Sequence, residues 1–360
     1  MVYVHVPFCK SFCTYCDFYS EICSPGESAR VQKLFVDSVC SEARSRMAEI
    51  DVASSPRTLY FGGGTPSLLS AESLGRMVST IGTGPYEEFT VEVNPEDIVE
   101  KGSGYVDALL RLGVNRISMG VQSLDDGILR WMNRRHDAAR AVSAFRILRG
   151  CGVPNISLDL IFGISHLSME QLCSTLDGFL ELCPDHVSAY QLSIEEGSAL
   201  ARMVSDGRYV EATQEQCREQ YGRICDRLRE GGYVHYEVSN WARPGFEALH
   251  NSAYWSRRPY VGLGPGAHSF DGKVRSWNSE SLYGYTSGSE ILSEDDERVE
   301  TIMLGLRTAA GVDASWLRSH SDVTVLDRML SEGSLMEHDG RIRIPEDRFF
   351  VSDAIIRDLV

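Results

Sequence analysis

Three cysteines stand in the run Cys9-Lys10-Ser11-Phe12-Cys13-Thr14-Tyr15-Cys16, a C-x3-C-x2-C spacing. Each thiolate can take one iron of a [4Fe–4S] cluster. The fourth iron is then left open to a small molecule. Clusters held by four cysteines carry electrons, whereas an open iron can do chemistry. Two plainer readings stand beside this one. Free cysteines pack as small apolar side chains, and zinc also takes thiolates, though more often through paired C-x2-C units with a further ligand.

Other residues with chemical potential follow at intervals. Gly62-Gly63-Gly64-Thr65-Pro66 trails an apolar strand, and glycines there permit positive φ and close approach of backbone to a ligand. Glu92 closes another apolar run, just ahead of Asn94-Pro95. Gln122 ends a third, Arg134 offers a bidentate fork for a carboxylate, and Asp159 lies inside the apolar strand Ile156–Ile161. A buried acid needs a partner, so Asp159 serves either a ligand or a structural hydrogen bond. His250 leads His250-Asn251-Ser252-Ala253-Tyr254-Trp255. His268 follows a Gly-rich turn and is a second candidate imidazole, or a structural one.

Positioning these residues requires a scaffold. Strands are predicted at Val2–Val6, Thr58–Phe61, Phe89–Val93, Arg116–Gly120, Ile156–Ile161 and His186–Leu192. Helices are predicted at Val31–Met47, Ala71–Ile81, Gly104–Leu112, Ala138–Cys151 and Met169–Leu182. Six alternations imply a parallel sheet with helices outside. Functional residues then belong at the C-terminal ends of strands, which is where the motifs fall. The alternation fades after about residue 230, which favours a partial (β/α)6 barrel over a closed (β/α)8 one. The expected division is a barrel over 1–235, a Gly- and aromatic-rich segment over 236–290, and a smaller C-terminal domain over 291–360. In the last, acidic Glu294–Glu300 opens a helical stretch, Val299–Leu306 and Val325–Glu332 read as helices, and Met336–Ile344 reads as a hairpin turning at Asp339-Gly340. Helices followed by a hairpin suggest a winged-helix-like module.

Composition sets bounds. The 360 residues are 43% hydrophobic and carry a formal net charge of −16. That charge argues against a general nucleic-acid binder, which needs a basic face. Of ten cysteines, the seven outside the triplet (Cys23, Cys40, Cys151, Cys173, Cys183, Cys217, Cys225) show no pairing logic. No charged, apolar-cored leader precedes the triplet, so a reducing cytoplasm is the expected compartment. No apolar run approaches the roughly 20 residues that span a bilayer.

The cysteine spacing, with Tyr15 before the last thiol, resembles the radical S-adenosylmethionine (SAM) enzymes. Further stretches are similar to the coproporphyrinogen III dehydrogenase-like family, and within it to its haem chaperones. They are His5–Cys9, Tyr60–Ser67, Asn115–Ser123, Tyr236–Asn240 and Gly262–Ser269, and the likeness runs from Val2 nearly to the C-terminus. It implies a radical SAM barrel and a C-terminal domain like that of the dehydrogenases. It implies a [4Fe–4S] cluster on Cys9, Cys13 and Cys16, and SAM contacts from Tyr3, Tyr15, Gly63, Gly64, Thr65, Glu92, Gln122, Arg134 and Asp159. Two features separate chaperone from dehydrogenase. The dehydrogenases place a further cysteine two residues after the triplet, where this chain has Asp17-Phe18. His250–Trp255 fits the chaperones' H-N-x-x-Y-W pattern, which implies haem binding through His250. The implied partners are haem, apo-haemoproteins of a respiratory kind and an electron donor, with peripheral membrane contact and no nucleic acid. The alternative is an oxygen-independent coproporphyrinogen III oxidase that decarboxylates propionates through a 5′-deoxyadenosyl radical. One stretch departs from the family: Gly163-Ile164-Ser165-His166-Leu167-Ser168 replaces a Gly-Leu-Pro-Gly-Gln-Thr-like turn, which implies a weaker hold on the adenosine end of SAM.

Overall fold

A computed structural model describes residues 1–22, 26–53, 56–82 and 84–360; Cys23 lies outside the described residues. All six expected strands form. They are β1 (Val2–Val6), β2 (Thr58–Gly63), β3 (Glu88–Val93), β4 (Arg116–Gln122), β5 (Asn155–Phe162) and β6 (His186–Gln191), side by side in chain order and parallel. Between them run α1 (Ser28–Ser45), α2 (Ala71–Ile81), α3 (Pro95–Arg111), α4 (Ala138–Gly150) and α5 (Met169–Leu182), and α6 (Gln214–Glu230) follows β6. The result is an α/β partial barrel of six strand–helix units.

Successive side chains of a strand point to opposite faces, and here the two faces differ. Val2, Val4, Val6, Leu59, Phe61, Phe89, Val91, Ile117, Met119, Leu158 and Val187 join one apolar core with helix residues such as Phe35, Leu74, Leu109, Phe145 and Phe179. The alternate residues are polar: Tyr60, Glu92, Arg116, Ser118, Asp159 and Ser188 line a common cavity. Parallel sheets usually read as continuous apolar runs because both faces are dry. A polar lumen is therefore the mark of a site.

The helices start and stop on local signals. The Ser70 hydroxyl accepts from Ser73 N and Gly82 ends α2 in the left-handed region at φ 68°, matching the expected Ala71–Ile81 span. Ser168 and Gln171 form a capping box for α5. Helix α3 begins nine residues before its expected Gly104, because Pro95 sits in its first turn, where a missing N–H costs nothing. Gly102, at φ 67° and ψ −171°, interrupts its helical backbone, and that break hid the first half of α3 from pattern reading.

The segment after residue 233 supplies both sheet edges. The strand β7 (Val234–Glu237) and β8 (Asn240–Ala242) pair antiparallel beyond β6, while β9 (Val261–Leu263) runs parallel to β1. The order is β9-β1-β2-β3-β4-β5-β6-β8-β7, so the sheet stays open. The expected 235/236 division falls inside β7. A small antiparallel sheet of β10 (His268–Phe270), β11 (Val274–Asn278) and β12 (Ser287–Ile291) flanks β9. The helix α7 (Leu249–Trp255) lies between β8 and β9 in the chain.

The C-terminal residues run α8 (Glu294–Leu306), β13 (Val312–Asp313), α9 (Ala314–His320), α10 (Val323–Ser331), β14 (Met336–His338) and β15 (Arg341–Arg343). This is winged-helix order, and the turn carries Asp339 at φ 50° and Gly340 at φ 72°, as a two-residue hairpin requires. The acidic run expected to open the helical stretch supplies its first turn, where carboxylates meet the positive end of the helix dipole. Val238 N donates to Arg307 O at 2.9 Å and Ala309 N to Tyr236 O at 2.9 Å, so this module covers the β7 edge.

Gly262 on β9 tests the seam between the two sheets. A Cβ there would overlap the His268 carbonyl oxygen. Gly262→Ala is expected to cost at least about 2 kcal/mol in urea unfolding. Gly104→Ala, whose Cβ meets open space within α3, should stabilise by about 0.5–1 kcal/mol.

Candidate functional site

The cysteine loop is fixed before any ligand arrives. Cys9 closes a two-residue strand that pairs with Glu21–Ile22. Thr14 N donates to Met132 O at 3.1 Å, the Thr14 hydroxyl to Trp131 O at 2.9 Å, and Asn133 Nδ2 to Phe12 O at 2.7 Å. The glycine run after β2 lies against this loop. Gly64 N donates to Val6 O at 2.9 Å, and a Cβ on Gly64 would meet Phe8 O at 2.7 Å. Gly63 sits at φ 105°, with His5 where its Cβ would be. Only glycine fits both positions.

One cavity of about 420 Å³ is lined by Cys9, Cys13, Tyr15, Cys16, Gly63, Gly64, Thr65, Glu92, Gln122, Arg134 and Asp159. Eleven of the residues singled out from sequence thus meet at the C-terminal mouth of the barrel. Tyr3 does not line it: its hydroxyl bonds His5 Nδ1 at 3.1 Å and its ring borders a second cavity beside β10. Residues 163–168 also stay outside the lining. His166 packs edge-on to Trp131 at 4.7 Å, and Ser165 N donates to Tyr209 Oη at 3.1 Å.

The donor set suits a cluster. Arg134 Nη1 donates to Cys13 Sγ at 3.4 Å, while its Nη2 donates to Asn94 Oδ1 and Gly120 O, each at 2.6 Å. The guanidinium thus lies against one of the three sulfurs that would bind iron. Burial pushes the Cys9 thiol up and the Cys16 thiol to about 11, so iron must displace protons there. Among the described residues no three His, Cys, Asp or Glu are arranged to hold one metal ion. A cluster asks less of them, because each thiolate takes its own iron. The buried Gln122 Oε1 and Arg134 Nε have no hydrogen-bond partner, which leaves two polar atoms for a ligand in the same cavity.

Two buried acids set the electrostatics. Glu92 accepts from Tyr60 Oη at 2.7 Å and from Gly63 N at 3.2 Å. Burial nevertheless raises its carboxyl to about 7. Asp159, raised by burial to about 6, accepts from Ser118 Oγ at 3.3 Å. Arg116 is the cation that sequence reading missed. It is 2% exposed, and its Nε and Nη1 lack hydrogen-bond partners. The signal was its place in the polar alternation of β4. A site with carboxylates and guanidinia across one small cavity can hold a zwitterion.

His250 lies elsewhere. It is 1% exposed on α7, with Nδ1 bonded to Thr58 Oγ1 at 2.7 Å and Nε2 to Tyr254 Oη at 2.9 Å. Glu88 accepts from Leu249 N at 2.8 Å and His250 N at 3.0 Å, capping the helix. Burial lowers the imidazole to about 3. Both ring nitrogens are engaged by hydrogen bonds within the protein. Asn251 of the same motif reaches the cavity.

Three comparisons bear on this geometry. The family model described as "Radical SAM superfamily" matches residues 3–178. A curated protein of Lactococcus lactis, "Heme chaperone HemW", is 34% identical over 86% of this chain and 82% of its own. Its namesake in Mycobacterium tuberculosis is 33% identical over 100% of this chain and 94% of its own. Among solved structures, Escherichia coli coproporphyrinogen III oxidase (HemN) matches with a TM-score of 0.78 and 20% identity, covering 99% of this chain and 89% of that one.

Anaerobic reconstitution with iron and sulfide tests the donor set. Replacing Cys9, Cys13 and Cys16 together by Ala should remove the brown chromophore and leave bound iron and sulfide at background. Replacing Cys40, Cys151, Cys173, Cys217 and Cys225 should not.

Proposed function

The chain belongs to the radical SAM superfamily and within it to the HemW family, and we propose on that footing that it is a haem chaperone that carries a [4Fe–4S] cluster, binds SAM and passes haem to apo-haemoproteins. The observation that carries this reading is the identity of about a third with a curated haem chaperone along the whole chain. Asp17-Phe18 in place of a further cysteine, and the complete His250–Trp255 motif, support it against the coproporphyrinogen oxidase alternative.

In this reading Cys9, Cys13 and Cys16 hold the cluster, whose open iron supplies the attachment point for the amino and carboxylate groups of SAM. Glu92 accepts from the N–H groups of that amino group. Gly63, Gly64 and Thr65 shape the wall beside it. Arg134 donates to the Cys13 sulfur, and through Asn94 and Gly120 it ties the mouths of β3 and β4 to the cluster loop. Tyr15, Gln122 and Asp159 complete the pocket. Residues 1–235 are the part that holds cluster and SAM, 236–290 the part that holds haem with His250 among its residues, and 291–360 a cover. The recipients are haemoproteins of a respiratory chain, met in the cytoplasm or at a membrane surface, and an electron donor serves the cluster. The described cysteines are all free, which agrees with a reducing compartment. Among the described residues no helix is long and apolar enough to cross a membrane.

Glu92 gives this reading a pH signature. A carboxyl with a pKa of about 7 is half protonated at neutral pH, and accepting from the ligand's amino group needs it ionised. SAM affinity should therefore fall at least about fivefold from pH 7 to pH 6, because the ligand's own amino group must also be unprotonated to bind the open iron. Glu92→Gln should bind SAM weakly and with a shallower acid limb. Isothermal titration across pH checks both.

Haem decides between the readings. The purified, reconstituted protein should take up haem with a Soret band. Given SAM and a reductant anaerobically, it should leave coproporphyrinogen III unchanged. Steady conversion of that porphyrinogen would replace the chaperone by the oxidase.

A further inference from the structure

His250 is hidden beneath α7, and that helix is lightly held. Within it only His250 and Ala253 are buried, so lifting it exposes little apolar surface. Its N-cap, Ala248, offers no side-chain cap; Glu88 of β3 accepts from Leu249 N and His250 N instead. Two further bonds tie this end to the barrel. Thr58 Oγ1 meets His250 Nδ1, and Ala248 N donates to Tyr236 Oη at 3.3 Å. The other end is anchored, because Arg257 pairs with Glu297 and Glu300 of α8. Positive-φ residues stand on either side, Gly245 at φ 86° and Arg257 at φ 50°. Positions at the ends of an element can absorb the rotation of a moving segment.

Strand register shows what such a movement uncovers. Thr58 pairs with Glu88, Thr90 with Arg116, and Glu92 with Ser118. These are successive layers of the lumen, each about 7 Å deep. Helix α7 sits on the lowest layer and closes the floor. Arg116 stands in the layer between that floor and Glu92. The His250 ring lies 5.1 Å from that of Tyr60, which shares the Arg116 layer. Arg116 is almost fully buried, its Nε and Nη1 lack hydrogen-bond partners, and no salt bridge holds it among the described residues. It lines the cluster cavity together with Asn251 of α7. A guanidinium in this state is a receptor for a carboxylate, which it grips through a bidentate fork. The cavity, at about 420 Å³, is too small for a macrocycle beside SAM. It admits one carboxylate arm, with the ring outside against the lifted helix and the second arm toward solvent.

We propose that α7 lifts at its N-terminal end to take haem, so that His250 comes free to meet the iron while Arg116, unmatched in the closed form, receives one propionate. The assignment rests on the haem-chaperone reading and adds to it a carboxylate site and the motion that opens it.

Titration of the full-length, cluster-loaded protein with haem and with haem dimethyl ester tests it, with iron and sulfide content reporting that the fold is kept. The ester has no carboxylate, so the wild type should bind it at least about tenfold more weakly than haem. Arg116→Met should lose that preference and bind the two alike. Arg116→Lys, which keeps the charge without the fork, should fall between. Thr58→Val removes a bond that holds His250 down, and should speed haem uptake and tighten it about fivefold. Hydrogen exchange at the Leu249 and His250 amides should quicken when haem is bound, because Glu88 no longer accepts from them. Equal wild-type binding of haem and its ester, or amides that stay protected in the haem-bound protein, would overturn this assignment alone. So would an Arg116→Lys variant that loses SAM yet keeps the full preference for haem over its ester, since the guanidinium would then serve SAM. Failure of the wild type to bind haem at all would remove the chaperone reading with it.

Discussion

Charge held inside a protein must be matched by opposite charge or by hydrogen bonds, because low dielectric makes an uncompensated ion expensive. That constraint organises the lumen of this barrel. Glu88, Glu92 and Asp159 come from β3 and β5, and Arg116 and Arg134 come from β4 and the loop beyond it. Glu88 and Arg116 are buried and the other three half-buried, and each has at least part of its charge met by the others. Glu88 spends its carboxylate on the N-terminus of α7. Glu92 and Asp159 are matched only in part, which is why burial raises both. Arg116 keeps two nitrogens unpaired. Incomplete matching of this kind is characteristic of ligand pockets rather than of structural ion pairs.

The same network ties distant parts of the chain. Arg134 touches the cysteine loop, β4 and the start of α3 in one side chain. Its removal would release three elements at once. The loop itself is held by backbone bonds to Met132 and Leu200 and by side-chain bonds to Trp131 and Asn133. Three thiols on a short loop are therefore aimed before iron arrives, and preorganisation lowers the cost of assembly. The glycines after β2 serve the same end by letting two backbones meet without side chains between them.

Helix α7 reaches the lumen from the side opposite the cysteines. Thr58 and Glu88, the first residues of β2 and β3, hold His250 and its backbone, while Asn251 extends into the cavity. The motif that carries the haem resemblance is thus built into the wall of the cluster cavity, and its Tyr254 faces the neighbouring aromatic one. The C-terminal winged helix closes the far sheet edge by pairing with residues 236–238, which hides backbone groups that an open edge would present to another chain.

Local chemistry determined much of this before folding was considered. Cysteine spacing, the glycine run, the polar residues at strand ends and the Asp-Gly turn could be read directly, because each expresses a rule of a few consecutive residues. The six strands and the helix spans Ala71–Ile81 and Met169–Leu182 followed from periodicity for the same reason. Tertiary structure decided the rest. Only packing shows that Arg116 is buried and unpaired, since a lone arginine at a strand's start reads the same on a surface. Only packing brings residues 234–263 to both edges of the sheet, because strands of three or four residues carry too little pattern to reveal a partner. The histidines differ for that reason too: His250 and His268 sit in similar company along the chain, and what sets one among Thr58 and Tyr254 and leaves the other with two free nitrogens is contact between residues that the sequence holds far apart.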